Sequence, residues 1–136
     1  MNKVILLLGS NLGNKKNNIS QAIGFIDSKI GRIIKRSNLI ESEPEDYISS
    51  NNYLNMGIVI CTDLSPTQLL KSIKDIEKSL GRLNDTFVNG KYEDRTIDID
   101  IVSFNSILFY SESLKIPHIS HLTKRSFSKK ILYELV

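Results

Sequence analysis

Between Arg95 and Val102 the chain reads Arg-Thr-Ile-Asp-Ile-Asp-Ile-Val, and Ile97, Ile99 and Ile101 alternate with Asp98 and Asp100. That is the period-two pattern of a half-buried strand. It constrains the fold on both faces: one must pack isoleucine into a core, and the other must hold two carboxylates about 7 Å apart along the strand. Strands avoid aspartate, and two at i and i+2 repel each other at neutral pH unless a cation lies between or above them. Their oxygens are hard ligands, of the kind magnesium takes when it also carries substrate phosphates. The plain alternative is a solvated strand face that happens to carry two acids, and the run by itself leaves both open.

The 136 residues are enough for one domain, 1–136, with a core that needs neither disulfides nor a structural metal. A net charge of +3 suits an anionic small molecule and does not demand nucleic acid. Cys61, the single cysteine, sits in the apolar run Ile58-Val59-Ile60-Cys61 and reads as a buried thiol in a reducing compartment. The apolar run Val4 to Leu8 is too short for the core of a secretory signal. No stretch approaches the ~20 apolar residues of a membrane span. The expectation is a cytoplasmic protein that works away from membranes, as a monomer.

Val4 to Leu8, closed by Gly9, reads as a central strand buried on both faces. The turn Gly9-Ser10-Asn11-Leu12-Gly13-Asn14 invites comparison with a phosphate loop but is one residue too short and lacks the following Lys-Ser/Thr pair. Ile19, Ala22, Ile23, Ile26 and Ile30 predict a helix over 18–30, stopped at Gly31. A strand over 32–40 and a loop over 41–52, long enough to suspect a lid, come next. In the strand 53–62, Leu54, Met56, Ile58 and Ile60 face the core; Tyr53, Asn55, Gly57, Val59 and Cys61 face the other way, a side opening in residues suited to a ligand. Ser65 as N-cap and Pro66 at the first position start a second helix carrying Leu69, Leu70, Ile73, Ile76, Glu77 and Leu80, which Gly81 ends. A second long loop over 82–94 leads into the aspartate strand. Beyond it come a turn at Asn105-Ser106, a short hairpin strand over 107–110, an extended segment 114–118 and a helical tail from Lys124.

This order predicts a ferredoxin-like βαββαβ α+β sandwich with an antiparallel sheet, both helices on one face, and a C-terminal extension. The first strand would lie between the third and fourth. Tyr53 and Asn55 would then stand two inter-strand steps, about 10 Å, from Asp98 and Asp100, all four on the uncovered face.

These residues resemble a known family, the 6-hydroxymethyl-7,8-dihydropterin pyrophosphokinases of folate biosynthesis. The likeness runs through Leu8-Gly9-Ser10-Asn11-Leu12-Gly13, Tyr53-Leu54-Asn55, Glu77 with Gly81-Arg82, the Arg-x-x-Asp-x-Asp of Arg95 to Asp100, Pro117-His118 and Arg125-x-Phe127. It implies transfer of the ATP pyrophosphoryl group to the pterin hydroxymethyl oxygen with release of AMP. It implies two Mg2+ ions held by Asp98 and Asp100, and a pterin stacked between Tyr53 and Phe127 with Asn55 and the backbone near Ser42 at its edge. It also implies ATP met by Glu77, Arg82, Arg95, His118 and Arg125, with Arg82, Arg95 and Arg125 sharing the catalytic work. The chain departs from the family in having Asp94 where proline is common, a longer and less basic 82–95 loop, and one extra residue between His118 and Arg125, which leaves open whether His121 or Ser120 takes part.

On composition alone, Glu77 falls on the solvated side of its helix, Phe127 is a core residue of the helical tail, and His121 is structural. Two histidines and one cysteine at unrelated spacings do not make a zinc site. Two other classes compete. An RNA-binding module would use the open sheet face, but paired aromatics for base stacking are missing and two aspartates would repel phosphate. A ligand-sensing domain without turnover is the third.

Overall fold

The structure, a computed structural model, describes residues 1–43, 51–81, 87–88, 91–92, 96–118, 121–122 and 125–135. In chain order the elements are β1 (Asn2–Ser10), α1 (Lys15–Lys29), β2 (Gly31–Arg36), β3 (Ile40–Ser42), β4 (Tyr53–Thr62), α2 (Pro66–Ser79), β5 (Phe87–Val88), β6 (Lys91–Tyr92), β7 (Asp98–Phe104), β8 (Phe109–Tyr110), β9 (Lys115–Ile116) and α3 (Ser126–Leu135). The main sheet runs β2-β4-β1-β7, with β3 extending the β2 edge along the other half of β4, and every pairing in it is antiparallel. The expected α+β sandwich is present, with β1 between β4 and β7 as the ferredoxin-like element order predicts.

Local chemistry accounts for the helix starts. The Asn14 side chain accepts from the Asn17 N–H, which begins α1 three residues earlier than its apolar spacing suggests. Ser65 and Gln68 form a reciprocal capping box at the start of α2, with Pro66 in the first turn. Both helices pack on one face of the sheet, where Val4, Leu6, Leu8, Ile58, Ile60, Ile97, Ile99 and Ile101 join Ile19, Ile26, Leu69 and Ile73 in one buried cluster. A shift of register between Ile5 and Leu6 turns Phe104 into the same cluster as Ile101.

The second face is not wholly open. α3 lies on it, and Ile131 and Leu135 join Leu7, Val59 and Val102 in a smaller core. A Cβ at position 57 would overlap Ile131 Cγ2 and stand 2.9 Å from Leu135 Cδ1. Gly57 is therefore the seat of a helix, not part of a ligand face as the parity of its strand suggested. The far end of α3 is tied down as well: Glu134 Oε1 accepts from the Asn38 N–H between β2 and β3. Half of the face is thus covered, and the half carrying Tyr53, Asn55, Asp98 and Asp100 remains.

Three smaller differences follow from short-range pairing. The predicted strand over 32–40 is broken into β2 and β3, because Ser37 leaves the ladder and its hydroxyl accepts from the Gly57 N–H. Of the predicted strand over 107–110, Phe109 and Tyr110 form a ladder, with β9 and not with the aspartate strand. Within the expected 82–94 loop, β5 pairs with β6. No helix among the described residues is long and apolar enough to cross a membrane.

Candidate active site

The register places the site residues in rows. Ile40, Asn55, Gly9 and Asp98 are successive partners across four strands, and Gly57, Leu7 and Asp100 form the next row. Asn55 and Asp98 are thus two inter-strand steps apart, with a residue between them that has no side chain. A Cβ at Gly9 would stand 3.1 Å from Asn55 Oδ1 and 3.2 Å from Tyr53 Cδ1. Any larger residue would press on both, so Gly9 keeps the floor between amide and carboxylate low.

Asn55 is 5% exposed, and its amide nitrogen donates to Ile40 O at 2.9 Å and to Ser42 Oγ at 2.8 Å. With both donors committed, its carbonyl oxygen is left over Gly9 as a fixed acceptor. Ser42 therefore acts on Asn55. The turn after β1 is cross-braced to the start of β4: Asn11 donates to Asn51 O at 3.4 Å and Lys15 to Asn52 O at 2.8 Å. Asn18 donates to Leu12 O.

Asp98 and Asp100 lie on the face away from α1 and α2, both half-buried, while Ile97, Ile99 and Ile101 point into the helix-side core. Asp100 Oδ2 is 2.7 Å from His121 Nε2 and 4.0 Å from His118 Nε2. Burial acts to raise the Asp100 carboxyl, but the hydrogen bond from His121 and the charges of His121, His118 and Arg125 outweigh it and hold the group at about 2. His118 is pushed down, chiefly by burial, with Asp100 opposing. Its Nδ1 is buried without a hydrogen-bond partner among the described residues. Its backbone N–H donates to Val102 O, which hangs the segment on the outer edge of β7.

The sign of the Asp100 shift makes a prediction for acid unfolding. A carboxyl depressed in the folded state contributes stability that is present above its unfolded value, near 4, and lost as the pH falls through it toward 2. Asp100→Asn should flatten that limb of the stability profile. Denaturant melts between pH 5 and about 2 check it; a limb as steep as that of the wild type would count against the assignment.

Glu77 departs from expectation. It is 2% exposed, and its Oε2 accepts from the Ile99 N–H at 2.9 Å. Lys74 Nζ lies 3.8 Å from Oε1. The reason is that β7 is an edge strand: the outward Ile99 N–H has no ladder partner, and a carboxylate from α2 satisfies it. Glu77 braces the aspartate strand between its two acids, so it is neither on a solvated helix face nor turned toward the open face.

His121 is the residue that sequence reasoning misses. It is 3% exposed and bridges Asp100 to Ser128 Oγ, which lies 2.5 Å from its Nδ1. The ionised carboxylate only accepts, so Nε2 carries the proton. Arg125 Nη1 stands 3.4 Å from the same nitrogen, and the Phe127 ring meets His121 edge-on at 6.2 Å. Phe127 is half-buried at the margin of the α3-side core. Arg82 and Arg95 lie outside the described residues.

The two histidines do converge, with ligand atoms of Asp100, His118 and His121 within 4.8 Å of one another. A borderline cation there would share its space with the Arg125 guanidinium. The donor set next to Arg125 suits a phosphate neighbour better than a zinc ion.

A fixed amide acceptor and a tyrosine on one side of a bare floor, with paired carboxylates, histidine and arginine on the other, define a small α+β enzyme of the group-transfer class. Residues 5–136 match the family described as 7,8-dihydro-6-hydroxymethylpterin-pyrophosphokinase (HPPK). The chain belongs to that family, whose members transfer a pyrophosphoryl group to hydroxymethyldihydropterin in folate synthesis. It is 35% identical to the 2-amino-4-hydroxy-6-hydroxymethyldihydropteridine pyrophosphokinase of Porphyromonas gingivalis, over 85% of this chain and 78% of that one. It is 39% identical to the folic acid synthesis protein FOL1 of Dictyostelium discoideum, over 86% of this chain but only 17% of that longer protein. In fold it is similar to the HPPK-DHPS of Plasmodium falciparum, with a TM-score of 0.75 at 15% identity, over 99% of this chain and 39% of that one.

Proposed function

We propose that this chain moves the pyrophosphoryl group of ATP to the hydroxymethyl oxygen of 6-hydroxymethyl-7,8-dihydropterin, releasing AMP, with Asp98 and Asp100 holding two magnesium ions. The observation that carries the proposal is the row Asn55–Gly9–Asp98, which sets a heterocycle-reading amide two strands from a metal-binding carboxylate on one open surface. The donor set fits: two aspartates at i and i+2 supply hard oxygens, and the low Asp100 carboxyl stays ionised at any working pH. Magnesium held there supplies positive charge against the triphosphate and lowers the pKa of the attacking hydroxyl.

The rest falls to side chains. Phosphoryl-type transfer depends mostly on positioning and on stabilising charge. Arg82, Arg95 and Arg125, with His118, are the groups assigned to the phosphates, where a guanidinium can bind two oxygens at once. Tyr53 and Phe127 are assigned to the faces of the pterin and the Asn55 carbonyl to its edge, with Ser42 keeping that amide from turning. Glu77 stays assigned to the nucleotide, with its Oε2 held by the Ile99 N–H. A monomer acting in the cytosol belongs to the same proposal, and for the reducing compartment the support is the free thiol of Cys61.

Magnesium-dependent AMP formation from ATP and the pterin tests it directly; ATP turnover that ignores the pterin would overturn it. Asn55→Ala should raise the KM for the pterin roughly tenfold, about 1.4 kcal/mol, with the KM for ATP nearly unchanged. A change in the ATP constant alone would remove Asn55 from the pterin site.

A further inference from the structure

Ser128, His121 and Asp100 stand in the order of a hydrolase triad, yet Ser128 is 0% exposed and its hydroxyl is turned to a ring that is itself 3% exposed. No substrate reaches that oxygen, so it is not a nucleophile. The chain of contacts runs the other way. α3 is docked on the sheet by Ile131 and Leu135, it carries Ser128, Ser128 fixes the His121 ring, and the ring holds one oxygen of Asp100.

We infer that His121 is a positioning residue for the metal-binding carboxylate: it fixes the rotation of Asp100 and so presents one oxygen to the cation. This rests on the proposal above that Asp100 binds the metal. An aspartate in mid-strand turns freely about its last bond, and a cation that binds it must first arrest that rotation. A buried imidazole hydrogen-bonded to Oδ2 arrests it beforehand and takes up one lone pair of that oxygen, so Oδ1 is the less encumbered ligand. Partners of this kind behind a ligating carboxylate set metal affinity and geometry. The ring cannot drift, because both of its nitrogens are bonded and almost none of its surface meets water. The same ring lies against Arg125 Nη1 and the Phe127 edge. One buried side chain thus sets the places of a metal ligand, a phosphate-binding cation and a pterin-stacking ring.

The test uses the full chain with Mn2+ as the probe and a non-hydrolysable ATP analogue, following free Mn2+ by its paramagnetic resonance signal, beside steady-state kinetics. His121→Ala should weaken Mn2+ binding about ten- to a hundredfold and lower kcat comparably, with the pterin KM changed much less. His121→Gln, whose amide nitrogen reaches to where Nε2 lies, should restore most of the Mn2+ affinity. Ser128→Ala, which touches neither metal nor substrate, should shift Mn2+ binding in the same direction by less. Wild-type Mn2+ affinity and kcat in His121→Ala, while Asp100→Asn loses the ion, would overturn the role of His121 and spare that of Asp100. Equal losses in the alanine and glutamine variants that track only the unfolded fraction would make His121 purely structural and overturn it too. Unchanged Mn2+ binding in Asp100→Asn would instead remove the metal assignment itself, and this inference with it.

Discussion

Replacing Asp98 with asparagine is expected to lower pyrophosphoryl transfer about a thousandfold, about 4 kcal/mol in the barrier, while costing the fold far less than it costs catalysis. The two effects separate because of where the side chain stands. Asp98 is half-buried on the open face, whereas its neighbours Ile97 and Ile99 carry the packing. Asparagine keeps the shape and strand geometry, and removing one of two like charges relieves their repulsion when no cation is present. What is lost is one hard ligand at the position where a triphosphate must be neutralised, the kind of interaction that phosphoryl transfer depends on most. Asp100→Asn should cost similar activity but also stability, since it weakens a charge-assisted hydrogen bond to a buried imidazole. Thermal melts and AMP formation, measured across a magnesium titration, check the pair. Asp98→Asn activity within tenfold of the wild type would end the two-carboxylate mechanism.

The site's rows are legible in the sequence because strand parity is rigid. Once Leu54, Met56, Ile58 and Ile60 are assigned to the core, Tyr53 and Asn55 have one remaining direction. The same parity, applied to Asp98 and Asp100 on a strand two steps away, puts all four on one side of the sheet. Parity says nothing about what lies over a face, however, and Gly57 shows the consequence: its strand position is as expected, but a helix sits on it. Glu77 escapes a reading by helical spacing, which cannot foresee that an edge strand offers an unpaired N–H beside it. The β5–β6 pair does have a local signal, the Asn-Gly between Val88 and Lys91, which is among the commonest two-residue hairpin sequences. His121 has no local signature at all. Its partners Asp100 and Ser128 are 21 and 7 residues away, and the extra residue before Arg125 hides its place in the motif.

Gly57→Ala should cost about 1–3 kcal/mol in stability and, with it, most of the activity. The new Cβ would fall on Ile131 Cγ2, an atom on a β-branched carbon that cannot swing aside without turning the whole side chain. Ile131 is fully buried, so the rotation has nowhere to go. The alternative is for α3 to lift from the sheet, and a ten-residue helix has too few turns to persist without its packed face. Ser128 and Phe127 leave with it, and His121 loses the hydroxyl that holds its ring. A methyl group that meets no substrate is thereby expected to act on the site through α3 rather than through the strand it sits on. A double-mutant cycle isolates this path. Ile131→Ala by itself should cost about 2–5 kcal/mol, but it also removes the obstructing methyl, so the Gly57→Ala/Ile131→Ala pair should lose clearly less than the sum of the two. Additive losses, read by far-ultraviolet circular dichroism in a denaturant series, would mean that the methyl group does not meet the helix and that α3 does not depend on the glycine for its seat.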